Sequence, residues 1–173
     1  MLNTISDGIN ALSDKQKDAY WWYYGEIGQK LVEQSEHIKT LLKKGYKITD
    51  GHEPIIGRFS NLNRIQHLDI VIYDSKKNLI KGICEVKTTK NQSKKEFPSN
   101  GVCAPVMKQA ERNRIPLFFA VVRLTNLLPT KIISEKGFKE VLAELLKDDS
   151  SYKIEFYKGK DFALEDGIFK IKT

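Results

Sequence analysis

Three residues, Asp69, Glu85 and Lys87, combine side-chain types and spacing that suit metal-assisted hydrolysis. Side chains alternate along a strand, so Glu85 and Lys87 project from one face with Ile83, while Cys84 and Val86 face the other layer. Asp69 lies on the preceding apolar segment and can point across a hairpin toward Glu85. Acids and an amine at core depth are costly unless a metal or a substrate compensates them. Two carboxylates and one main-chain carbonyl, here that of Val86, are oxygen donors suited to Mg²⁺ or Mn²⁺. An ion so held would bind a phosphodiester oxygen and a water and lower the pKa of that water. Lys87 could orient the water, help to deprotonate it, or neutralise charge on the phosphate.

The acid-x-Lys spacing is cheap in a charged chain, and Asp74-Ser75-Lys76 repeats it. That second copy falls in Asp74-Ser-Lys-Lys-Asn78, a turn-rich connector whose residues point to a solvated hairpin tip. What sets Glu85 and Lys87 apart is the element that carries them. Leu79 to Thr89 reads as an apolar strand, and Leu68 to Tyr73 as its hairpin partner. Upstream, Ile27, Leu31, Gln34, Ile38, Leu41 and Leu42 recur at helical spacing within Asp14 to Lys44. Ser13 with Gln16 forms a capping box for that helix, Gly45 closes it, and Gly25 and Gly28 are where it would break. Tyr46 to Thr49 is a short strand, followed by a polar loop from Asp50 to Gln66.

Downstream, a basic loop (Lys90 to Asn100) leads to a helix over Val102 to Asn113, with Pro105 in its first turn. Pro116 to Leu124 is a continuous apolar run, as expected of a strand buried on both faces. Lys139 to Leu146 reads as a helix and Tyr152 to Tyr157 as a strand. The order predicts an α/β sandwich around a mixed sheet, in one domain. Its core would span about 14–124, with an α/β appendage over about 130–173.

With 173 residues, 40% hydrophobic and 29% charged, the chain suits one soluble domain. No apolar run approaches the ~20 residues of a membrane span. Met1 to Ser13 lacks a secretory pattern, so an intracellular, cytoplasmic protein is expected. Cys84 and Cys103 do not form a Cys-x-x-Cys zinc spacing. The balance of 29 Lys+Arg against 22 Asp+Glu, net +7, suits a polyanionic partner.

In this context the chain resembles the PD-(D/E)xK nuclease superfamily, which includes restriction enzymes and archaeal Holliday-junction resolvases. The resemblance runs from about Glu26 to Leu124 and is strongest over Gly82-Ile-Cys-Glu-Val-Lys-Thr-Thr-Lys90. Asp69 matches the first acid, Glu85 the second and Lys87 the lysine; Leu68 stands where a proline often precedes the first acid. The resemblance implies a restriction-endonuclease-like α/β/α sandwich and a Mg²⁺- or Mn²⁺-dependent nuclease. DNA ranks ahead of RNA as its substrate, and homodimerisation is common in the family. It also implies a glutamate on the first helix. Glu33, twelve residues before Gly45, is the first choice, Glu26 the reserve, and Glu36 is disfavoured. Gln109 matches a polar residue that some members place near the metal. His37, with Glu53 or Asp50, loosely matches the metal site of cap-snatching RNA endonucleases, which are related in fold.

Lys90, Lys94 and Lys95 would emerge at the mouth of the site and hold a phosphate backbone, with Arg58 and Arg64 on its other side. His67 lies close enough to Asp69 to touch substrate, and His52 reads as a loop residue. Tyr20-Trp-Trp-Tyr-Tyr24 is denser in aromatics than one helix face requires. It could stack bases, meet a partner, or pack the helix against the tail. Two readings rival an active DNA nuclease within this fold: a catalytically silent module that binds nucleic acid or protein, and an RNA endonuclease of the cap-snatching type. A third makes Glu85 and Lys87 an exposed ion pair on an unrelated α/β protein.

Overall fold

The computed structural model describes residues 9–50, 59–62, 65, 68–99, 103–124 and 131–172. Among them are four α-helices and eight strands: α1 (Asp14–Glu33), α2 (Glu36–Lys43), β1 (Lys47–Thr49), β2 (Ile70–Asp74), β3 (Leu79–Thr89), β4 (Glu96–Pro98), α3 (Cys103–Arg112), β5 (Leu117–Leu124), α4 (Glu135–Lys147), β6 (Tyr152–Lys158), β7 (Phe162–Glu165) and β8 (Ile168–Ile171). The chain is an α/β fold around a mixed five-stranded sheet of order β1-β2-β3-β5-β6. Only β3 and β5 run parallel, Glu85 beside Phe119 and Lys87 beside Val121; the other neighbours are antiparallel.

The sheet divides the core into two apolar layers. On one face Cys84, Val86, Ala120 and Val122 pack with Ile27, Leu31 and Val32 of α1 and with Val141 and Leu145 of α4. On the other, Val71, Ile83, Phe119 and Val121 pack with Val106, Met107 and Ala110 of α3 and with Phe97, Phe162 and Phe169. The three phenylalanines come from a second sheet of order β4-β8-β7, which the sequence pattern does not reveal. The C-terminal segment is therefore woven into both sheets, with β6 along β5 and β8 against β4.

Helix α1 begins on the expected capping box: Gln16 N–H donates to Ser13 Oγ, and Ser13 N–H donates to Gln16 Oε1. It runs unbroken through Gly25 and Gly28, contrary to the expected break. Gly28 serves packing instead, since a Cβ there would lie inside the Thr88 hydroxyl. The interruption falls at Gln34 and Ser35. Ser35 Oγ donates to the Val32 carbonyl at 2.6 Å and accepts from Ile38 N–H at 3.4 Å, closing one helix and capping the next. Gly45, at φ 87°, ends α2 as anticipated.

The β2–β3 hairpin turns on Asp74, whose Oδ1 accepts from the N–H groups of Lys76 and Lys77, and on Asn78 at φ 53°. A register shift between Ile72 and Tyr73 marks a bulge. At the start of β3, Asn61 completes the edge: its amide accepts from Ile80 N–H and donates to the Ile80 carbonyl.

Candidate active site

Strand β2 begins at Ile70 opposite Cys84, while β3 continues to Thr89. Beyond Cys84, β3 is paired with β5 on one side, and no strand pairs with its other edge among the described residues. Asp69, the residue before β2, fills that open edge. Its Oδ2 accepts from Val86 N–H at 2.8 Å. The N–H and C=O of one strand residue point to the same edge, so the Val86 carbonyl faces this opening as well. Asp69 thus stands at the strand's entrance rather than inside it, at the boundary between the two layers.

Glu85 and Lys87 share the face of Ile83, as alternation predicted. Glu85 is 2% exposed. One of its oxygens meets Lys87 Nζ at 3.3 Å, and the other, Oε2, is buried without a hydrogen-bond partner. Burial first, and then the neighbouring Asp69 charge, push the Glu85 carboxyl up to about 8, against the opposing pull of Lys87. Lys87 also lies 5.7 Å from the centre of the Phe169 ring. A buried acid whose second oxygen has only the Asp69 carboxyl to share a proton with is a group that needs an explanation.

From the opposite layer, α1 reaches the same edge. Gln29 is buried, and its amide donates to the Asp69 carbonyl at 2.9 Å and to Glu33 Oε1 at 3.3 Å. Sequence reasoning missed Gln29. The available signal was a glutamine between Gly28 and the buried Leu31 on the packed side of the helix. Glu33 also bonds Lys30 at 3.2 Å and is linked to Asp69 through Gln29. Glu26 is placed differently. It lines a cleft of about 250 Å³ with Trp21, Trp22, Gly25, Gln29, Asp69 and Val86. Both helix acids thus stand near Asp69, Glu33 through Gln29 and Glu26 across the cleft.

Past β3, Lys90, Lys94 and Lys95 are exposed on the connecting loop. The buried Arg123 of β5 holds this loop by donating to the carbonyls of Asn91 at 2.7 Å and Lys94 at 2.9 Å, while it pairs with Glu155. A charged residue inside the expected all-apolar strand is thus the anchor of the basic loop.

Other candidates are not gathered at this edge. His37 stacks on Phe156 at 4.4 Å and meets Phe118 edge-on, over β5 and β6 rather than beside Asp69. Burial and then Lys158 hold its imidazole below the usual histidine range. Packing thus accounts for His37, and the metal role suggested for it has no support. Gln109 is exposed on α3, whose core face is Val106 and Ala110 as expected. Asp50 is partly buried after β1 and acts electrostatically on Lys30. Glu53, His52, Arg58, Arg64 and His67 lie outside the described residues.

Among the described residues, no three His, Cys, Asp or Glu side chains gather into a ready-made metal cluster. The donors near the open edge are Asp69, Glu85 and the Val86 carbonyl, all oxygen. Compared with known protein families, curated proteins and solved structures, the chain matches none. Among the described residues, no helix is long and apolar enough to cross a membrane.

Proposed function

We propose that this protein is a Mg²⁺- or Mn²⁺-dependent phosphodiesterase of restriction-endonuclease-like fold that cuts nucleic acid, DNA ahead of RNA. The observation that carries the reading is the unsatisfied, buried Oε2 of Glu85, next to Asp69 and Lys87 at the open edge of β3. The residues fit a hard divalent cation on two counts. Such an ion would satisfy the orphaned oxygen and relieve the repulsion between the two acids, and the donor set is the oxygen-only set such ions prefer.

Asp69, Glu85 and the Val86 carbonyl would hold the ion, which supplies Lewis-acid stabilisation of the phosphodiester and a more acidic water. Val86 N–H keeps the Asp69 carboxylate oriented, and Gln29 fixes its backbone. Lys87 leaves Glu85 to donate from Nζ to the attacking water or to a phosphate oxygen, where positive charge favours the transition state. Lys90, Lys94 and Lys95 track the phosphate backbone from the anchored loop.

One observation favours a silent binding module: Lys87 ties up one Glu85 oxygen at 3.3 Å, a pairing that could persist without metal. His37 packs on Phe156 rather than beside Asp69, which lends no support to a cap-snatching type of site. Incubation with supercoiled plasmid, single-stranded DNA and RNA, with Mg²⁺, Mn²⁺ or chelator, separates the readings. Metal-dependent cleavage supports the nuclease. Binding without cleavage under every condition leaves the silent module.

A further inference from the structure

Trp21 and Trp22 remain 50% and 61% exposed although they sit on the helix that covers the sheet. They are not loose. Trp21 packs edge-on against Tyr20 at 4.9 Å and Tyr24 at 5.8 Å, and Trp22 against Tyr23 at 5.0 Å. Tyr23 in turn stacks on Phe138 of α4 at 5.3 Å. The indoles are therefore braced by an aromatic row tied to the core, and much of each ring still faces solvent. One turn on, Gly25 leaves open space where a side chain would stand, since a Cβ there would touch nothing within 4 Å. The resulting cleft joins the indoles to Asp69 and Val86.

Its size and lining decide what it can hold. About 250 Å³ is below the usual range for a whole small ligand and suits a single flat ring system. The charged side chains lining it are Glu26 and Asp69, with no described lysine or arginine among them, so a phosphate meets this edge only at the ion that Asp69 would hold. Exposed indole faces suit a nucleobase, which can stack on them whatever its identity. Other phosphates are left to Lys90, Lys94 and Lys95. A base inside a duplex cannot present its face to an indole without leaving the stack.

We infer that Trp21 and Trp22 form a stacking platform for an unpaired base beside the scissile phosphate, which makes single-stranded or unpaired nucleic acid the substrate. The inference rests on the nuclease reading above and specifies its substrate.

Trp21 and Trp22 are the two tryptophans of the chain, so intrinsic tryptophan fluorescence reports on this face alone. The full-length protein is titrated in chelator with a short oligodeoxycytidine, and with a duplex of equal length. The single strand is expected to quench the fluorescence and to bind at least about tenfold more tightly than the duplex. Trp22→Leu and Trp21→Leu keep apolar bulk and remove the flat face. Each is expected to weaken single-strand binding roughly five- to a hundredfold, read by anisotropy of a labelled oligonucleotide. Absence of quenching, equal affinity for both forms, or unchanged affinity in both variants overturns the platform. So does sedimentation showing a wild-type dimer that Trp22→Leu converts to monomer, because the face is then a self-interface. The two readings fail separately. Stacking without metal-dependent cleavage sinks the nuclease, whereas duplex cleavage without quenching sinks only the platform.

Discussion

Replacing Glu85 with glutamine removes a charge that the fold buries at a cost and keeps the shape of the protonated acid. The carboxyl is pushed from 4.5 to about 8, by burial first and by Asp69 second. At about 1.4 kcal/mol per pH unit, that displacement is on the order of 5 kcal/mol. Below pH 4.5 the folded and unfolded states both hold the proton, and stability is undiminished. Between about 4.5 and 8 the unfolded chain ionises while the folded protein keeps its proton, so the unfolded state binds fewer protons and stability falls. Above 8 both are ionised and the loss is complete. Glu85→Gln has no such group, so urea unfolding in chelator is expected to show a difference between the two proteins that grows from pH 5 to pH 9. The variant becomes the more stable by a few kcal/mol at the alkaline end. Mg²⁺ or Mn²⁺ should then raise the midpoint of the wild type and leave that of Glu85→Gln unmoved. Parallel pH profiles, or a wild type that gains on the variant as pH rises, would refute the reasoning. A buried acid that costs stability fits a site that trades stability for function.

Other substitutions test the supports around that carboxylate. Gly28→Val would drive a side chain into Thr88 and push α1 off β3, costing about 2–3 kcal/mol in urea unfolding. Gln29→Leu leaves the Asp69 carbonyl without its donor; a loss of about 1–2 kcal/mol is expected, with cleavage falling more than binding in a single-turnover assay. Arg123→Met frees the carbonyls of Asn91 and Lys94, and should cost about 2 kcal/mol and speed hydrogen exchange of the 90–95 loop.

How much of this was legible in the sequence depended on the range of the interactions involved. The capping box at Ser13, the hairpin at Asp74 and the bounds of β3 are local, and they read correctly because their signals lie within a few residues. The Glu85–Lys87 face followed from alternation alone. The break at Ser35 was hidden because its cap is a single serine within a helical pattern, while Gly28, which looked like a breaker, answers to Thr88 sixty residues away. The pairing of Phe97 with Phe169 was equally out of reach, since short strands so distant carry no periodicity. For the helix acid, spacing left Glu33 and Glu26 on nearly one face. Both come near Asp69, Glu33 through Gln29 and Glu26 along the cleft that opens at Gly25. Gln29 and Arg123 are polar residues in apolar settings, and in both cases the partner was a distant main-chain carbonyl.

The central claim is that Asp69, Glu85 and Lys87 form one hydrolytic site. Its most direct test is the initial rate of cleavage of labelled single-stranded DNA in Mn²⁺ by wild type, Asp69→Asn and Lys87→Ala, with folding checked by circular dichroism. The account predicts cleavage by the wild type that chelator abolishes, and a loss of at least about a hundredfold in each variant. Undiminished cleavage by the folded Asp69→Asn and Lys87→Ala proteins would contradict it.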